Sequence, residues 1–194
     1  VLAPATLLGA LPLALHPVMT FTGSAVDLER LGGAMFGVTA PEPLWPIAAA
    51  LVVEMGAEPI RIAERDRTLY HAALAHGANH LVTLVNDAMD LLRHAGVAEP
   101  DRTLAPLLSA ALDNVLRQGD AALTGPVARG DASTVEDHVA AIEGIAPETV
   151  AAYVALARRT ATRALASGRL RAADAEPLLD ALGGRPSQDW NGSR

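Results

Sequence analysis

Three polar residues, His76, Asn79 and Thr83, recur at the spacing of one helix face within a largely apolar segment. Exposed helix faces usually carry Glu, Lys and Arg, whereas His, Asn and Thr hydrogen-bond small ligands and move protons near neutral pH. A histidine can donate a proton to a carbonyl oxygen that an asparagine amide orients. The pattern predicts that His76 and Asn79 are catalytic and that Thr83 binds substrate. The whole stripe comprises Thr68, Ala72, His76, Asn79, Thr83, Asn86 and Asp90.

The same stripe also fits a purely structural role. The helix that carries it is apolar around most of its circumference, which is typical of a helix buried in the middle of a domain. His76 and its neighbours would then form a satisfied polar seam, bonded to carbonyl groups of adjacent helices. The sequence leaves both interpretations open.

A metal site on this helix is disfavoured by the number of available ligands. His76 and His80 are four residues apart, which is the spacing of two zinc ligands on a helix. Zinc helices of this kind carry a glutamate directly after the first histidine, but Gly77 occupies that position here. Since the chain contains no cysteine and no third ligand is evident nearby, we expect no metal.

A second candidate binding segment is the loop at 122–134, which contains two glycines. Glycines let a backbone approach a ligand, and the helix expected after the loop presents unbonded N–H groups to an anion. Arg129 adds a guanidinium suited to a carboxylate. We predict that Thr124, Gly125 and Arg129 bind substrate. The alternative is a plain interhelix turn capped by Asp131, which does not account for the Thr-Gly-Pro sequence in the loop.

A cofactor contact is predicted at the end of the first expected strand. The apolar run 11–16 ends at His16-Pro17, where proline stops strand pairing. The carboxyl ends of parallel strands form the edge at which α/β proteins bind their ligands. His16 and Pro17 are therefore the predicted cofactor-binding residues.

Composition restricts the class of protein. The formal net charge of −7 argues against a nucleic-acid or anionic-membrane surface, so we expect a small-molecule substrate. All 15 basic residues are arginine, which removes lysine from every catalytic scheme. The apolar run 1–15 is interrupted by proline and glycine and is too short to span a bilayer, so we expect no signal peptide or membrane anchor. With no cysteine for disulfides, a cytoplasmic location is the simplest expectation.

The chain is expected to contain two regions and a tail. Residues 1–63 alternate apolar runs with one helical segment, which is typical of the last part of a parallel α/β sheet. Residues 64–182 have only helical patterns, and the polar residues 183–194 are expected to form a flexible tail. Because three short strands cannot bury both faces of a parallel sheet, and Val1 lies in mid-pattern, we expect a preceding part. Strands are expected at 11–16, 35–39 and 59–63, and helices at 44–55, 65–94, 104–117, 134–143, 147–167 and 172–182.

With these segments identified, the chain resembles a family of uncharacterised proteins with a Rossmann-like N-terminal half and an all-helical C-terminal domain of unknown function. That family is related to the group containing ketopantoate reductase, pyrroline-5-carboxylate reductase, prephenate dehydrogenase and 6-phosphogluconate dehydrogenase. The resemblance covers nearly the whole chain. The matching segments are Leu15-His-Pro-Val-Met-Thr-Phe21, Arg67-x-x-Tyr-His-Ala-Ala73, Ala78-Asn-His-Leu81 and Ala122-Leu-Thr-Gly-Pro-Val-Ala-Arg-Gly-Asp131.

The resemblance implies an α/β fragment, the end of a Rossmann-like parallel sheet, followed by an all-helical domain similar to the C-terminal domain of 6-phosphogluconate dehydrogenase. It also implies a homodimer through the helical domain. The loop with Thr124 and Gly125 looks like the glycine-rich substrate loop of pyrroline-5-carboxylate reductases. Two features depart from these relatives. No G-x-G-x-x-G fingerprint is present for the cofactor phosphates, and no lysine replaces their catalytic lysine, for which His76 is the nearest substitute.

Two functions of different classes follow. The first is an oxidoreductase that uses NADP or NAD in the full-length protein and reduces a small carbonyl or imine acid, in the manner of ketopantoate reductase. His76 would donate the proton, Asn79 and Thr83 would orient the substrate, and Arg129 would hold its carboxylate. The second is a non-catalytic helical module for dimerisation or binding, in which the polar stripe is structural.

Overall fold

The computed structural model of the chain describes residues 2–183. Helices dominate these residues, and a small three-stranded sheet lies near their start. The chain divides into two compact units, Val1–Leu84 and Val85–Arg194, and the division falls inside a long helical segment. The predicted domains 1–63 and 64–182 stay predictions, and the predicted tail lies outside the described residues from position 184 onward.

The first unit is built around the sheet, whose strand order is β1-β2-β3. Strand β2 is parallel to β3, and a helix with Pro46 in its first turn connects them, as the sequence pattern predicts. The two short helices before β2 are not predicted by the pattern. The elements are α1 (Ala3–Leu7), β1 (Ala14–Pro17), α2 (Ala25–Leu31), β2 (Met35–Thr39), a 3₁₀ helix (Glu42–Leu44), α3 (Trp45–Glu54), β3 (Glu58–Arg61) and a 3₁₀ helix (Glu64–Asp66).

The prediction that β1 belongs to a parallel sheet is wrong, because β1 runs antiparallel to β2. His16 therefore lies opposite Gly37 in mid-strand, and Pro17 lies opposite Phe36. The carboxyl end of β2, at Thr39, faces the start of β1 instead. An apolar run marks a strand but carries no information on its direction, so the placement of His16 and Pro17 at the carboxyl edge does not hold.

The core of the first unit lies between the sheet and helix α3. Its members are apolar side chains from alternate positions of β2 and from the face of α3 that repeats every four residues. This packing holds the central strand against its crossover helix and leaves the other face of the strand for a further helix. The buried residues are Phe36, Val38, Ala48, Val52 and Ala57.

The long helical segment after the sheet consists of three parts. Helix α4 (Arg67–Leu74) leads into a π-helical turn (Ala75–Asn79), which continues as helix α5 (His80–His94). The prediction that this segment is buried is wrong, since every residue from 64 to 94 is half-buried or exposed. An apolar pattern indicates a surface that favours burial, but it does not say which molecule covers that surface.

The second unit consists of helices. Its core contains small and branched side chains from the last four helices, where alanines let the helices pack closely. Asp131 caps one helix by accepting a hydrogen bond from the Thr134 backbone N–H. Within residues 2–183 no helix is long and apolar enough to cross a membrane. The further elements are α6 (Pro100–Gln118), a 3₁₀ helix (Gly119–Ala122), α7 (Gly125–Arg129), α8 (Ala132–Ile145), α9 (Pro147–Ala166) and α10 (Ala172–Gly183).

Candidate functional site

A polar cluster forms in the first unit where helix α4 packs on the sheet. Arg67, Tyr70 and His71 occupy positions i, i+3 and i+4 of α4, so they share one face of the helix. His16 comes from β1 and Thr39 from the end of β2. The five side chains bring hydroxyl, imidazole and guanidinium groups together, and we call them the His16 cluster.

The centre of the His16 cluster is a hydrogen bond between an imidazole and a phenol. His16 Nδ1 lies 2.9 Å from the Tyr70 hydroxyl, and the two rings meet edge to face with centroids 5.6 Å apart. The ring of His71 approaches His16 from another side at a centroid distance of 5.9 Å. His16 and Tyr70 are both half-buried, so solvent competes only partly for this bond.

Burial shifts the pKa of each member of the pair toward the neutral form of its side chain. Burial lowers the pKa of His16 below its ordinary value of 6.5, and the charges of His71 and Arg67 lower it further. Burial raises the pKa of Tyr70, although the Arg67 charge and the Gly37 backbone N–H oppose that shift. His16 and Tyr70 are thus a neutral pair near pH 7 beside the permanent positive charge of Arg67.

Arg67 is held in place by a chain of hydrogen bonds that starts in the sheet. Its Nη1 donates to the Thr39 hydroxyl at 2.9 Å, and Thr39 in turn donates to the Ile62 carbonyl at 2.6 Å. Thr39 is buried, with 6% of its surface exposed. Because a guanidinium has five N–H donors, this bond leaves most of its fork available.

The close approach of Tyr70 to the sheet requires glycine at position 37. A Cβ at Gly37 would overlap the hydroxyl and the end of the Tyr70 ring. Tyr70 also lines an open depression of about 280 Å³ beside β3, which is apolar along Ile62, Leu69 and Ala73. The remaining lining residues are Arg61, Ala63 and Asp66.

The predicted catalytic residues lie elsewhere on the helical segment, in its π turn. His76 Nδ1 lies 3.1 Å from His80 Nδ1, and the rings meet edge to face at 5.2 Å. A π turn contains more residues than an α turn. Residues four positions apart, such as His76 and His80, therefore lie closer to one face of the turn than residues three apart, such as His76 and Asn79. His76, Asn79 and Thr83 are all exposed. The described contacts therefore pair His76 with His80 and do not join it to Asn79.

The predicted substrate loop lies in the second unit and begins a helix. Thr124 precedes helix α7, Gly125 adopts a φ of +89°, and Pro126 occupies the first turn of the helix. The Thr-Gly-Pro sequence thus has a structural explanation as a helix start, which the turn hypothesis lacked. Thr124 and Arg129 are exposed.

The sequence interpretation missed Arg67, Tyr70, His71 and Thr39 as possible site residues. None of them was assigned a role, although Arg67, Tyr70 and His71 lie in one of the segments that resemble the family. The signal that could have found Arg67, Tyr70 and His71 is the Arg-x-x-Tyr-His spacing, which puts three donors on one face of a helix. Thr39 has no such signal. Among residues 2–183 no group of three or more His, Asp or Glu side chains is arranged to hold a metal ion.

A second histidine–tyrosine pair lies in the second unit and lacks the surrounding donors. His138 Nδ1 lies 2.9 Å from the Tyr153 hydroxyl, with ring centroids 6.1 Å apart. Burial raises the pKa of Tyr153, and no nearby arginine opposes this shift. The pair has the same bond as His16 and Tyr70 without the cationic environment.

These elements, a strand-helix-strand unit with an antiparallel edge strand followed by a set of helices, define a mostly helical protein of two units with a small mixed sheet. The sequence matches the model of the family described as "Domain of unknown function (DUF2520)" over residues 34–160, which is more than half of the chain. The chain therefore belongs to this family. A comparison with curated proteins finds no match.

Two solved structures share the fold. Protein TM1727 from Thermotoga maritima is 24% identical with a TM-score of 0.68, and the match covers 80% of this chain and 62% of that one. The protein named "putative NADP oxidoreductase BF3122", from Bacteroides fragilis, is 20% identical with a TM-score of 0.67, covering 81% of this chain and 61% of that one. The chain thus spans about three fifths of the length of each relative.

Proposed function

We propose that this chain is part of an NADP- or NAD-dependent oxidoreductase that reduces a small carbonyl or imine acid. The observation that carries the proposal is the fold shared over 81% of the chain with the Bacteroides protein that is named for NADP oxidoreduction. The His16 cluster supports it, because a neutral phenol beside an imidazole is suited to hydrogen-bond a carbonyl oxygen. A ketopantoate reductase-like activity and a helical domain like that of 6-phosphogluconate dehydrogenase belong to the same proposal.

The described residues do not fit the pyrophosphate of a dinucleotide. Such a site needs a glycine-rich turn between a strand and a helix N-terminus with unbonded N–H groups. The connection from β2 to α3 begins Ala-Pro-Glu, without glycine. At the start of α2, the backbone N–H groups of Thr22 and Gly23 already donate to the Asp27 carboxylate, at 2.7 and 2.8 Å. Phosphate binding is therefore assigned in this proposal to the rest of the full-length protein.

Within the proposed enzyme, this chain supplies residues that act on the substrate. His76 is the proposed proton donor, while Asn79 and Thr83 orient the substrate. Arg129, which is exposed, is proposed to bind a carboxylate through its guanidinium fork, with Thr124 and Gly125 as further substrate contacts. His16 and Pro17 are the residues proposed to contact the cofactor. The hydrogen bond between His16 and Tyr70 also favours a contact of His16 with the substrate.

The full-length protein tests the proposal through dinucleotide binding and turnover. We expect it to bind NADPH with a micromolar constant or better and to oxidise it in the presence of 2-oxo acids or cyclic imino acids. The 194-residue chain is the matched control, and calorimetry should detect no comparable NADPH binding to it. A full-length protein that binds neither NADPH nor NADH would overturn the proposal.

A second candidate function is a non-catalytic dimerisation module, and one observation favours it. Helix α6 exposes large apolar side chains along its length, which in a protein surface usually marks an interface. The exposed side chains are Leu107, Leu112, Val115 and Leu116. A homodimer through the helical part is compatible with either function, so turnover by the full-length protein separates the two.

A further inference from the structure

We propose that the His16 cluster binds a small 2-oxo acid, with the Arg67 guanidinium on its carboxylate and the Tyr70 hydroxyl on its carbonyl oxygen. The inference deepens the proposed function and rests on it for the choice of a carbonyl compound. In this inference Arg67 holds the carboxylate and Tyr70 bonds the carbonyl oxygen, in place of Arg129 and His76, which the sequence predicts for these two roles.

The charges around the cluster favour an anion. Arg67 carries the permanent charge, and it is close enough to act on both His16 and Tyr70, as its effect on the pKa of each indicates. None of the ion pairs among the described residues involves Arg67. The side chain is half-buried, so a carboxylate that reaches it meets a less screened charge than at an open surface.

The guanidinium is also oriented before any ligand arrives. The hydrogen bond from Arg67 to Thr39 fixes one edge of the fork, and Thr39 is itself buried and bonded to the Ile62 carbonyl. An arginine held in this way loses less conformational freedom when it binds a carboxylate than a free surface arginine does. The remaining N–H groups can form a bidentate pair with the two carboxylate oxygens.

The direction of the His16–Tyr70 bond decides whether the phenol can donate to a ligand. When His16 carries its proton on Nδ1, it donates to the Tyr70 oxygen and leaves the Tyr70 hydrogen free. When Nδ1 is unprotonated, the Tyr70 hydrogen is committed to His16. Arg67 and His71 disfavour a charged His16, so the ring is neutral. Because a phenol that donates to a ligand cannot also donate to His16, the proposal requires the Nδ1–H tautomer in the ligand-bound state.

Space for the alkyl tail of the ligand lies beside Tyr70, which among the five residues of the His16 cluster is the one that lines the open depression. The open depression of about 280 Å³ that Tyr70 lines has an apolar wall, along which a short alkyl chain can pack. Its acidic residue, Asp66, pairs with Arg65 at 3.5 Å, which reduces repulsion of an incoming carboxylate. A 2-oxo acid with a short alkyl tail combines the carboxylate, carbonyl and apolar groups that these surfaces complement.

The test is a titration of the ¹⁵N-labelled 194-residue chain with 2-oxobutyrate, followed by NMR of the histidine rings, with 2-oxobutyramide as the neutral comparison. We expect saturable shifts at His16 and His71, an Nδ1–H signal for His16 in the bound state, and binding of the amide weakened about tenfold or more. Arg67→Gln should weaken 2-oxobutyrate binding about tenfold, and Tyr70→Phe by about three- to tenfold.

Two matched variants control for charge and for the loss of a hydroxyl. Arg30→Gln removes an exposed arginine of helix α2 that belongs to neither the His16 cluster nor the depression, and Tyr153→Phe removes the phenol of the other histidine–tyrosine pair. Both should bind 2-oxobutyrate like the wild type. If Arg67→Gln does not fold, Arg67→Lys keeps the charge without the fork and should still weaken binding severalfold.

The proposal is overturned if 2-oxobutyrate causes no saturable shift, if the amide binds equally well, or if Arg30→Gln weakens binding as much as Arg67→Gln. A bound His16 protonated on Nε2 alone would also overturn it. The outcome is independent of NADPH. If the full-length protein binds 2-oxobutyrate but shows no turnover, the oxidoreductase proposal is contradicted and the binding site stands. If turnover occurs but is insensitive to Arg67→Gln, the binding site is contradicted and the oxidoreductase proposal stands.

Discussion

The hydroxyl of Tyr70 occupies the space that a side chain at position 37 would fill. Gly37 lies in the middle of the central strand, opposite His16, and its missing Cβ lets the phenol reach the sheet and the imidazole. The geometry of the His16 cluster thus depends on the absence of one methyl group. This relationship makes position 37 the most direct way to perturb the cluster without removing a polar atom.

Gly37→Ala should displace Tyr70 and break its bond to His16. Because the added methyl meets a ring held between helix and sheet, we expect a loss of about 1–3 kcal/mol in the free energy of unfolding, measured by urea denaturation. The matched control is Gly32→Ala, where the nearest atom to a new Cβ is 3.7 Å away and φ is −60°. Equal stability of the two variants would contradict the close contact.

The stability of the first unit should fall in mild acid because of His16. Its folded pKa lies below the ordinary value of 6.5, so the unfolded chain binds the proton more tightly. The contribution of neutral His16 to the free energy of unfolding is complete above pH 6.5. It is lost as the pH falls through the lower pKa of the folded state. The groups that face His16 are Tyr70, His71 and Arg67, of which the last two oppose its protonation.

Urea denaturation at a series of pH values measures this effect, and NMR titration of the ring gives the folded pKa. His16→Gln keeps a polar side chain without a titrating group, so its unfolding free energy should depend less on pH in this range. A His16 that titrates above 6.5 in the folded chain would contradict the expected sign.

His76 and Asn79 can be tested for catalysis separately from stability. If His76 donates a proton in the full-length enzyme, His76→Ala should lower turnover by about 10²-fold or more, and Asn79→Ala should also raise the substrate requirement. Both side chains are exposed, so neither change should cost more than about 0.5 kcal/mol in stability. Unchanged activity together with a stability loss of about 1–3 kcal/mol would instead support the polar seam.

The loop before helix α8 should tolerate no side chain at Gly130. Its φ is +73°, and a Cβ there would come within 2.7 Å of Asp174 and 2.9 Å of Leu170. Gly130→Ala should therefore lower the free energy of unfolding by about 2–4 kcal/mol, combining backbone strain with overlap. Gly168→Ala is the control, because Gly168 has a similar φ of +72° but open space around a new Cβ. Its free energy of unfolding should fall by about 1–2 kcal/mol, from backbone strain alone.

The exposed apolar face of helix α6 should mediate a homodimer. Light scattering should give twice the mass of the chain. The protein concentration should be about tens of micromolar, which suits an interface of modest affinity. Leu116→Glu should yield a monomer, since it buries a charge at the interface. Leu28→Glu in α2 is the control, since Leu28 is 76% exposed and Leu116 78%. A wild-type monomer at this concentration would count decisively against the prediction.

Local sequence was sufficient to locate most helices and strands. Pro46 and Gly56 mark the two ends of α3, and Pro147 and Gly168 mark those of α9, because these residues act on backbone angles and hydrogen bonds within one turn. The apolar spacing of α6 likewise follows from the helix period alone. The short helix α2 was missed, since its cap depends on Asp27 and lies within a segment of few apolar residues.

The neighbours of the site residues depended on tertiary structure. Tyr70 has an ordinary apolar context in the sequence, and its hydrogen-bond partner lies 54 positions away. The direction of β1, which brings His16 opposite Gly37, follows from pairing with β2 and not from the apolar run itself. The π turn that separates His76 from Asn79 is equally invisible to an α-helical period. Periods and caps arise from bonds between residues a few positions apart, whereas the site arises where surfaces distant in sequence are buried against each other.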